Sequence, residues 1–388
     1  MQEKIWAILM ATILLTSALF TLTVITPNTA IATSHRKNVI LFLVDDLDYN
    51  AMKKMLETDN KKNQTTTETE PWLKYIEEEI VNKGTAFNKT YASTPICCPS
   101  RATLFTGKYP HNTGVLTNNI TYGINNFNDS ETIATWLNSA GYQTAFIGKY
   151  LNGYGESAVA PPNNNSAYKP HGWHQWHALP NDPEHTYMYN YKLNDNGVVT
   201  TAVGYPIATH QTVKLGQIAE QLIDHNDGYE DTFNVQGTSP FFMEISTFAP
   251  HLPLLDRIDN QRNCTITYTL PTQPQIHSEG WVPDSWGNSG QYSKTWINST
   301  IPAFQKNSIS WNEANITDKP GFIQTNWRPI VPEPEDPADC LSDRIYRTRF
   351  LGMHVVDREV VGRVIDKLKN DYPTVFNNTV LIFASDNG

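Results

Sequence analysis

Residues 97–101, of sequence CCPSR, carry the densest set of reactive side chains in the chain: two thiols, a hydroxyl and a guanidinium. Pro99 suits the first turn of a helix, where its missing N–H has no partner to lose, and Gly107 suits the end of that helix. The pattern predicts a nucleophile, Cys97, at a helix start whose unpaired N–H groups attract an anion, with Arg101 one turn on. Two structural interpretations compete with this one: half of a disulfide, and a buried thiol.

Continuous apolar runs elsewhere predict strands that are buried on both faces of a parallel sheet. These runs cover residues 38–44, 143–147, 240–248 and 379–385. Amphipathic patterns between them predict helices over residues 71–83, 131–140, 211–226 and 344–368. The polar segments 51–70, 152–205 and 255–340 are predicted to be loops. Strands that alternate with helices indicate an α/β fold.

Each predicted strand ends in polar side chains, which meet at one sheet edge if the strands are parallel. They are Asp45 and Asp46, Lys149, His251, and Asp386 with Asn387. Three carboxylates and an amide oxygen suit Ca²⁺ or Mg²⁺. A divalent cation surrounded by basic groups stabilises the oxyanion of sulfuryl or phosphoryl transfer. A surface turn is the alternative interpretation of the adjacent aspartates.

The order of these motifs resembles that of the type I sulfatases. A strand followed by D-D, then C-x-P-S-R with a later T-G, then G-K, P-H and S-D-N-G, covers essentially the whole mature chain. The resemblance implies an alkaline-phosphatase-like fold, with a large mixed, mostly parallel sheet flanked by helices. Sulfatases continue past D-N-G to a further lysine and a smaller subdomain. Residues 33–388 are therefore expected to be the N-terminal catalytic domain, truncated at its C-terminal end, with the C-terminal subdomain missing.

The resemblance also implies a modified nucleophile and a metal. In that family a formylglycine-generating enzyme oxidises the first cysteine of the motif, here Cys97, and the hydrated aldehyde attacks sulfur. One Ca²⁺ ion, with Mg²⁺ as the alternative, is then expected to be held by Cys97, Asp45, Asp46, Asp386 and Asn387.

Three cationic side chains complete the site that the resemblance implies. Arg101 is expected to stabilise the aldehyde hydrate. Lys149 and His251 are expected to bind the sulfate and to assist the departure of the leaving group. Many sulfatases carry a histidine three positions after the glycine of G-K; Leu151 takes that place here, and Asn152 is our candidate for its replacement.

The implied function is that of an arylsulfatase-type sulfuric ester hydrolase acting on aryl or carbohydrate sulfate esters. The segments GKYLNGYG and HGWHQWHAL look most similar to N-acetylglucosamine-6-sulfatases, which act on glycosaminoglycan-like sugars, and to algal and fungal arylsulfatases. Two alternatives stay open: a phosphodiesterase or phosphonate hydrolase of the same fold, and an inactive truncated glycoprotein.

Composition limits the possible partners. With 388 residues, 39% of them hydrophobic and 18% charged, the chain is of a globular type. A net charge of -10 gives no basic surface for nucleic acid, and none is expected as a partner. An anionic substrate must therefore be bound by a local positive site.

The N-terminus predicts secretion. Lys4 precedes an apolar run from Ile5 to Ile25 and an A-x-A-like cleavage site at residues 30–32, so residues 1–32 are predicted to be a signal peptide. An uncleaved anchor is the alternative. After cleavage no stable membrane span is expected, and the destination is extracellular, the cell wall or the lysosome.

Secretion would expose the chain to glycosylation and to oxidation. Cys264 and Cys340 are candidates for a disulfide. The acceptor sequence N-x-[ST] occurs at Asn63, Asn88, Asn119, Asn128, Asn164, Asn263, Asn298, Asn315 and Asn377.

Overall fold

Four of the strands coincide with the predicted apolar runs. The computed structural model describes residues 36–57, 61–62, 69–181, 188, 191–202, 210–224, 233–251, 349–350 and 352–387. Within them the strands are β1 Asn38–Val44, β2 Lys61–Lys62, β3 Thr69–Glu70, β4 Gln143–Lys149, β5 Gln175–Leu179, β6 Lys192–Asp195, β7 Val198–Thr201, β8 Phe241–Ser246 and β9 Thr379–Ser385.

The helices connect and cover these strands. They are α1 Tyr49–Leu56, α2 Ile76–Val81, α3 Cys97–Thr106, α4 Pro110–Thr113, α5 Ile133–Ser139, α6 Gln211–Asp224, α7 Val356–Gly362, α8 Arg363–Asp371 and α9 Pro373–Asn377. A 3₁₀ turn spans Ile124–Asn126, and α2 and α7 have π-helical hydrogen bonding. None of the helices in the described ranges is both long and apolar enough to cross a membrane.

The main sheet has the strand order β7-β6-β5-β4-β8-β1-β9, and β2 and β3 form a separate hairpin. The neighbours from β5 to β9 in this order are all parallel, whereas β6 and β7 extend the sheet antiparallel beyond β5. The prediction of a mixed, mostly parallel α/β sheet is therefore confirmed. Because the parallel strands run the same way, their carboxyl ends share one edge.

Helices cover both faces of the sheet. Along β1, Ile40 and Phe42 belong to one buried cluster, with side chains from α1, α6, α7 and α8. Leu41 and Leu43 belong to the other, with side chains from α3 and α5 and aromatic side chains such as Trp176 of β5. Alternate residues of a strand point to opposite faces, so an unbroken apolar run serves both clusters.

The four predicted strands are confirmed, but burial on both faces is wrong for β9, which ends the strand order and exposes Val380 and Ile382. Two of the predicted loops contain regular structure. Segment 51–70 overlaps α1, whose N-cap Asp48 accepts a hydrogen bond from the backbone N–H of Ala51 at 2.9 Å. Segment 152–205 contains β5, β6 and β7. These strands are short and partly polar, so they form mainly because they pair with neighbouring strands and less because of their own sequence. Segment 255–340 lies outside the described residues.

The predicted helix over residues 131–140 is confirmed with a different start. It begins after Thr132 and not after Ser130, because the Thr132 and Thr135 hydroxyl groups form a reciprocal cap.

Candidate active site

The polar residues that follow the strands lie together at the carboxyl edge of the sheet. Beyond β1, Asp46 has a left-handed backbone (φ 58°), which aspartate tolerates better than most residues, and its N–H donates to Asp386 Oδ1 at 3.1 Å. In β4, Gly148 has φ 111°, and a Cβ there would collide with the carbonyl of Ser246. This glycine brings β4 close to β8 immediately before Lys149.

Helix α3 presents the predicted nucleophile at its first residue. It begins at Cys97 and ends at Gly107, which has a left-handed backbone (φ 63°), as the sequence predicts. The side chain of Asn118 caps this start by accepting from the Cys98 N–H at 2.8 Å. Both cysteines are buried and free, so the disulfide interpretation of this pair is wrong. Cys98 packs into the core, whereas the Cys97 thiol donates to Asp46 Oδ1 at 3.9 Å.

Three carboxylates converge beside Cys97. One oxygen each of Asp45, Asp46 and Asp386 lie within 4.8 Å of one another. Asn387 Nδ2 lies 2.8 Å from Asp386 Oδ1 and 3.8 Å from Cys97 Sγ. The predicted metal ligands are thus contiguous, and they form an acidic cluster that could hold a metal ion.

Arg101 is buried and contacts residues at the ends of four strands. Its Nε donates to Asp386 at 2.7 Å, and its NH1 donates to Ser246 Oγ at 2.6 Å and to the Lys149 carbonyl at 2.7 Å. NH2 lies 3.4 Å from Asp45. Burial alone would lower the pKa of Arg101, but Asp386 and Asp45 outweigh it and raise this pKa. A charge buried this deeply is retained because carboxylates surround it.

The Lys149 ammonium and the His251 imidazole border the cluster. Lys149 Nζ donates to Asp45 Oδ2 at 2.5 Å, and His251 Nε2 lies 3.2 Å from Asp46 Oδ2. Burial alone would raise the pKa of Asp45, but Lys149 and Arg101 lower it to about 2. The side chains of Asp46 and His251 are 27% and 29% exposed, so the site opens to solvent past this pair.

Several supporting residues went unnoticed in the sequence. Ser100 Oγ donates to the Asp386 carbonyl, and Ser385 Oγ accepts from the Leu47 N–H at 3.0 Å. Ser246, which accepts from Arg101, could have been found, because strand alternation puts it on the face that α3 covers. Asn118 could not, because it is distant in sequence and lies in an irregular segment.

At residue 151 this chain carries leucine where the resemblance leads us to expect histidine. Leu151 is buried in the core on the α3 face of the sheet. Burial raises the pKa of the Cys98 thiol and the backbone of Asn152 opposes that shift, so this turn lies near the start of α3.

Below the site, β8 carries a buried carboxylate that lacks a donor. Glu244 is fully buried two residues before Ser246, and no donor among the described residues bonds to either of its carboxylate oxygens. Burial raises the pKa of Glu244 to about 8, although Arg101 opposes the shift.

We expect Glu244→Gln to stabilise the protein at alkaline pH. The folded chain holds the Glu244 proton up to a pKa of about 8 and the unfolded chain only up to about 4.5, so folding takes up a proton and stability falls as the pH rises between these values. The variant should gain on the order of 4 kcal/mol at pH 8 and little at pH 4. Urea unfolding across this range would measure it, and identical pH profiles for variant and parent would contradict it.

The predicted glycosylation and disulfide residues lie partly within and partly outside the residues that the structure describes. Among the acceptor asparagines, Asn88, Asn119, Asn128 and Asn377 are exposed, and Asn164 is half-buried. Outside the described residues lie Asn63, Asn263, Asn298, Asn315, Cys264 and Cys340.

Comparison with known proteins accounts for this arrangement. The sulfatase family model matches residues 37–388. N-acetylglucosamine-6-sulfatase from Homo sapiens is 27% identical over 92% of this chain and 52% of its own length. An arylsulfatase from Volvox carteri is 27% identical over 93% of this chain and 48% of its own. An extracellular sulfatase homologue from Caenorhabditis elegans is 32% identical over 56% of this chain and 26% of its own.

These matches define the class: the chain belongs to the sulfatase family. It spans about half the length of the human and algal relatives.

Proposed function

We propose that the protein hydrolyses sulfate esters of aryl or carbohydrate alcohols. The observation that carries the proposal is the convergence of Cys97, three carboxylates, Arg101, Lys149 and His251 at one sheet edge. Such a site combines a nucleophile position with metal ligands and anion-binding cations, which is what transfer of a tetrahedral anion requires. Membership of the sulfatase family supports sulfate over phosphate as the transferred group.

The acidic cluster fits a calcium ion in its chemistry. Its donors are carboxylate oxygens on three neighbouring residues, with an amide next to them, and hard oxygen ligands favour Ca²⁺ or Mg²⁺ over softer metals. We assign Asp45, Asp46, Asp386 and Asn387 as ligands, with the modified Cys97 beside them. When bound, the cation supplies positive charge that polarises the sulfate oxygens.

We assign Cys97 as the precursor of formylglycine. Its position supports this, because it lies next to Asp46 and Asn387, whereas its neighbour Cys98 turns into the core. The aldehyde supplies, as its hydrate, an oxygen nucleophile in place of the thiol. A formylglycine-generating enzyme would be the maturation partner.

Arg101 has a different proposed role from Lys149 and His251. Arg101 holds two of the proposed metal ligands, Asp45 and Asp386, and thereby fixes the geometry beside residue 97; we assign it the steadying of the aldehyde hydrate as well. Lys149 and His251 lie beside Asp45 and Asp46, where they would bind sulfate and donate hydrogen bonds toward the leaving oxygen. Their present carboxylate partners keep both side chains oriented toward that position.

The substrate proposal is tested by comparing esters. The full-length protein, produced together with a formylglycine-generating enzyme, should hydrolyse 4-nitrophenyl sulfate and leave 4-nitrophenyl phosphate nearly untouched. The relative from Homo sapiens favours N-acetylglucosamine 6-sulfate as a natural substrate. Faster hydrolysis of bis(4-nitrophenyl) phosphate or of a 4-nitrophenyl phosphonate would replace the proposal with a phosphodiesterase or phosphonate hydrolase. No turnover of any ester would favour a non-catalytic glycoprotein.

Removal of calcium should inactivate and destabilise the protein together. Chelation leaves the three carboxylates repelling one another, and restored Ca²⁺ at about 100 times its Kd should return about 2.7 kcal/mol of stability. Thermal unfolding with and without Ca²⁺ measures this independently of turnover.

Asp46→Asn should reduce the calcium-dependent shift in Tm. Glu131→Gln is the matched control, because Glu131 is exposed and pairs with Lys108. An equal calcium-dependent shift in both variants would contradict the assignment of Asp46.

Localisation follows as part of the proposal. A signal peptide over residues 1–32 would send the chain into the secretory pathway, and the exposed Asn88, Asn119, Asn128 and Asn377 would be accessible to glycosylation. The extracellular sulfatase homologue among the relatives supports this destination. A shift in electrophoretic mobility after glycosidase treatment would test it.

A further inference from the structure

The segment after β8 carries an aromatic ring that the site description has not used. Thr247 N–H donates to the Leu43 carbonyl at 2.9 Å, and Thr247 Oγ1 donates to the Ala249 carbonyl at 2.6 Å. Phe248 between them is half-buried, and its carbonyl accepts from the His251 N–H at 3.0 Å. The turn from Thr247 to His251 is thus held at both ends, which fixes the direction of the Phe248 side chain.

The Phe248 ring contacts both Lys149 and His251. Lys149 Nζ lies 5.1 Å from the ring centroid, a distance at which an ammonium is attracted to an aromatic face. The ring and the His251 imidazole lie 4.8 Å apart between centroids, with an interplanar angle of 45°. One side chain therefore sets where two functional side chains lie relative to each other.

Each of these two side chains also has a carboxylate partner: Lys149 pairs with Asp45 and His251 with Asp46. Packing against Phe248 adds a second constraint on the position of both side chains. A bound sulfate ester would need both side chains at fixed positions, because the charge on its leaving oxygen grows only as the bond to sulfur breaks.

We propose that Phe248 is a positioning residue that holds Lys149 and His251 against the leaving oxygen of the sulfate ester. This rests on the proposed function. Removal of the ring should lower kcat/KM most for esters whose alcohol or phenol is a poor leaving group. A ring needed only for packing would slow all esters equally.

The test compares leaving groups across variants of the full-length, formylglycine-bearing protein. For Phe248→Leu, kcat/KM should fall about tenfold for a sugar or 4-methylphenyl sulfate and less than about threefold for 4-nitrophenyl sulfate, the range of one cation–aromatic contact. The loss should lie in kcat, with KM little changed. Phe248→Tyr, which keeps the ring, should restore the leaving-group dependence of the parent.

The matched control is Phe376→Leu. Phe376 also lies against a lysine, Lys369, at 5.9 Å, but it precedes β9 and so lies toward the opposite edge of the sheet from the site. This variant should leave the leaving-group dependence unchanged.

Equal losses for all esters in Phe248→Leu, or no loss, would overturn the inference while leaving the proposed function intact. Failure of the proposed function looks different, because the unaltered protein would then hydrolyse none of the sulfates, and the inference would fall with it. Thermal unfolding of each variant checks that the fold is retained.

Discussion

A Cys97→Ala variant is expected to lose at least about a thousandfold in kcat/KM toward every sulfate ester, because removal of a nucleophile leaves only binding and electrostatic stabilisation. The fold should survive, since Cys97 lies at the first residue of α3 and the cap on this helix comes from Asn118, which bonds to the next residue. Steady-state kinetics at saturating Ca²⁺ measure the loss, and circular dichroism confirms the fold.

Cys98→Ala provides the matched control. It removes the same thiol one residue later, from a side chain that faces the core and occupies the variable position of C-x-P-S-R. Some stability should be lost and most of the activity kept. If Cys97→Ala keeps the activity of the parent, or if the two alanine variants lose it equally, Cys97 is not the nucleophile.

The second large effect is expected for Arg101→Met. The guanidinium is fully buried and bonds to Asp386, Ser246 and the carbonyl of Lys149. Its removal leaves buried carboxylates without their counter-charge, at a cost of about 3 kcal/mol or more. Because the metal ligands and Lys149 would shift together, kcat/KM should also fall by about a hundredfold. Urea unfolding and kinetics in excess Ca²⁺ measure the two effects.

Ser246→Ala is the control for Arg101, since it removes one acceptor and keeps the charge balance. It should cost about 1 kcal/mol and less than about tenfold in activity. If the Arg101→Met variant is as stable as the parent, other groups compensate the buried carboxylates. Arg101 would then not be what holds the four strand ends together.

The sequence was enough to predict the sheet edge and its polar residues. Residues 38–44 and 379–385 are apolar at nearly every position, which predicts a strand for each, and the acids that follow must lie at its end. The burial of each strand was less predictable, because β1 lies inside the sheet and β9 is at the end of the strand order. The parallel pairing of β1 with β9 then brings Asp45 and Asp386 to the same edge of the sheet.

The parts that were not predicted depend on tertiary contacts. β6, of sequence KLND, has no apolar alternation and forms because β5 and β7 pair with it. The contacts of Arg101 with Ser246 and of Phe248 with Lys149 join residues about a hundred or more positions apart. No local pattern indicates which side chain meets which across such a distance.

The most direct test of the central claim is mass spectrometry of the peptide that contains residues 97–101, from protein purified from its native host. The account predicts that Cys97 is present as formylglycine, recognised by the mass difference between a thiol-bearing CH₂SH group and an aldehyde, and by its reaction with hydrazides, while Cys98 stays unmodified. Cysteine at position 97 in protein that hydrolyses sulfate esters would contradict it.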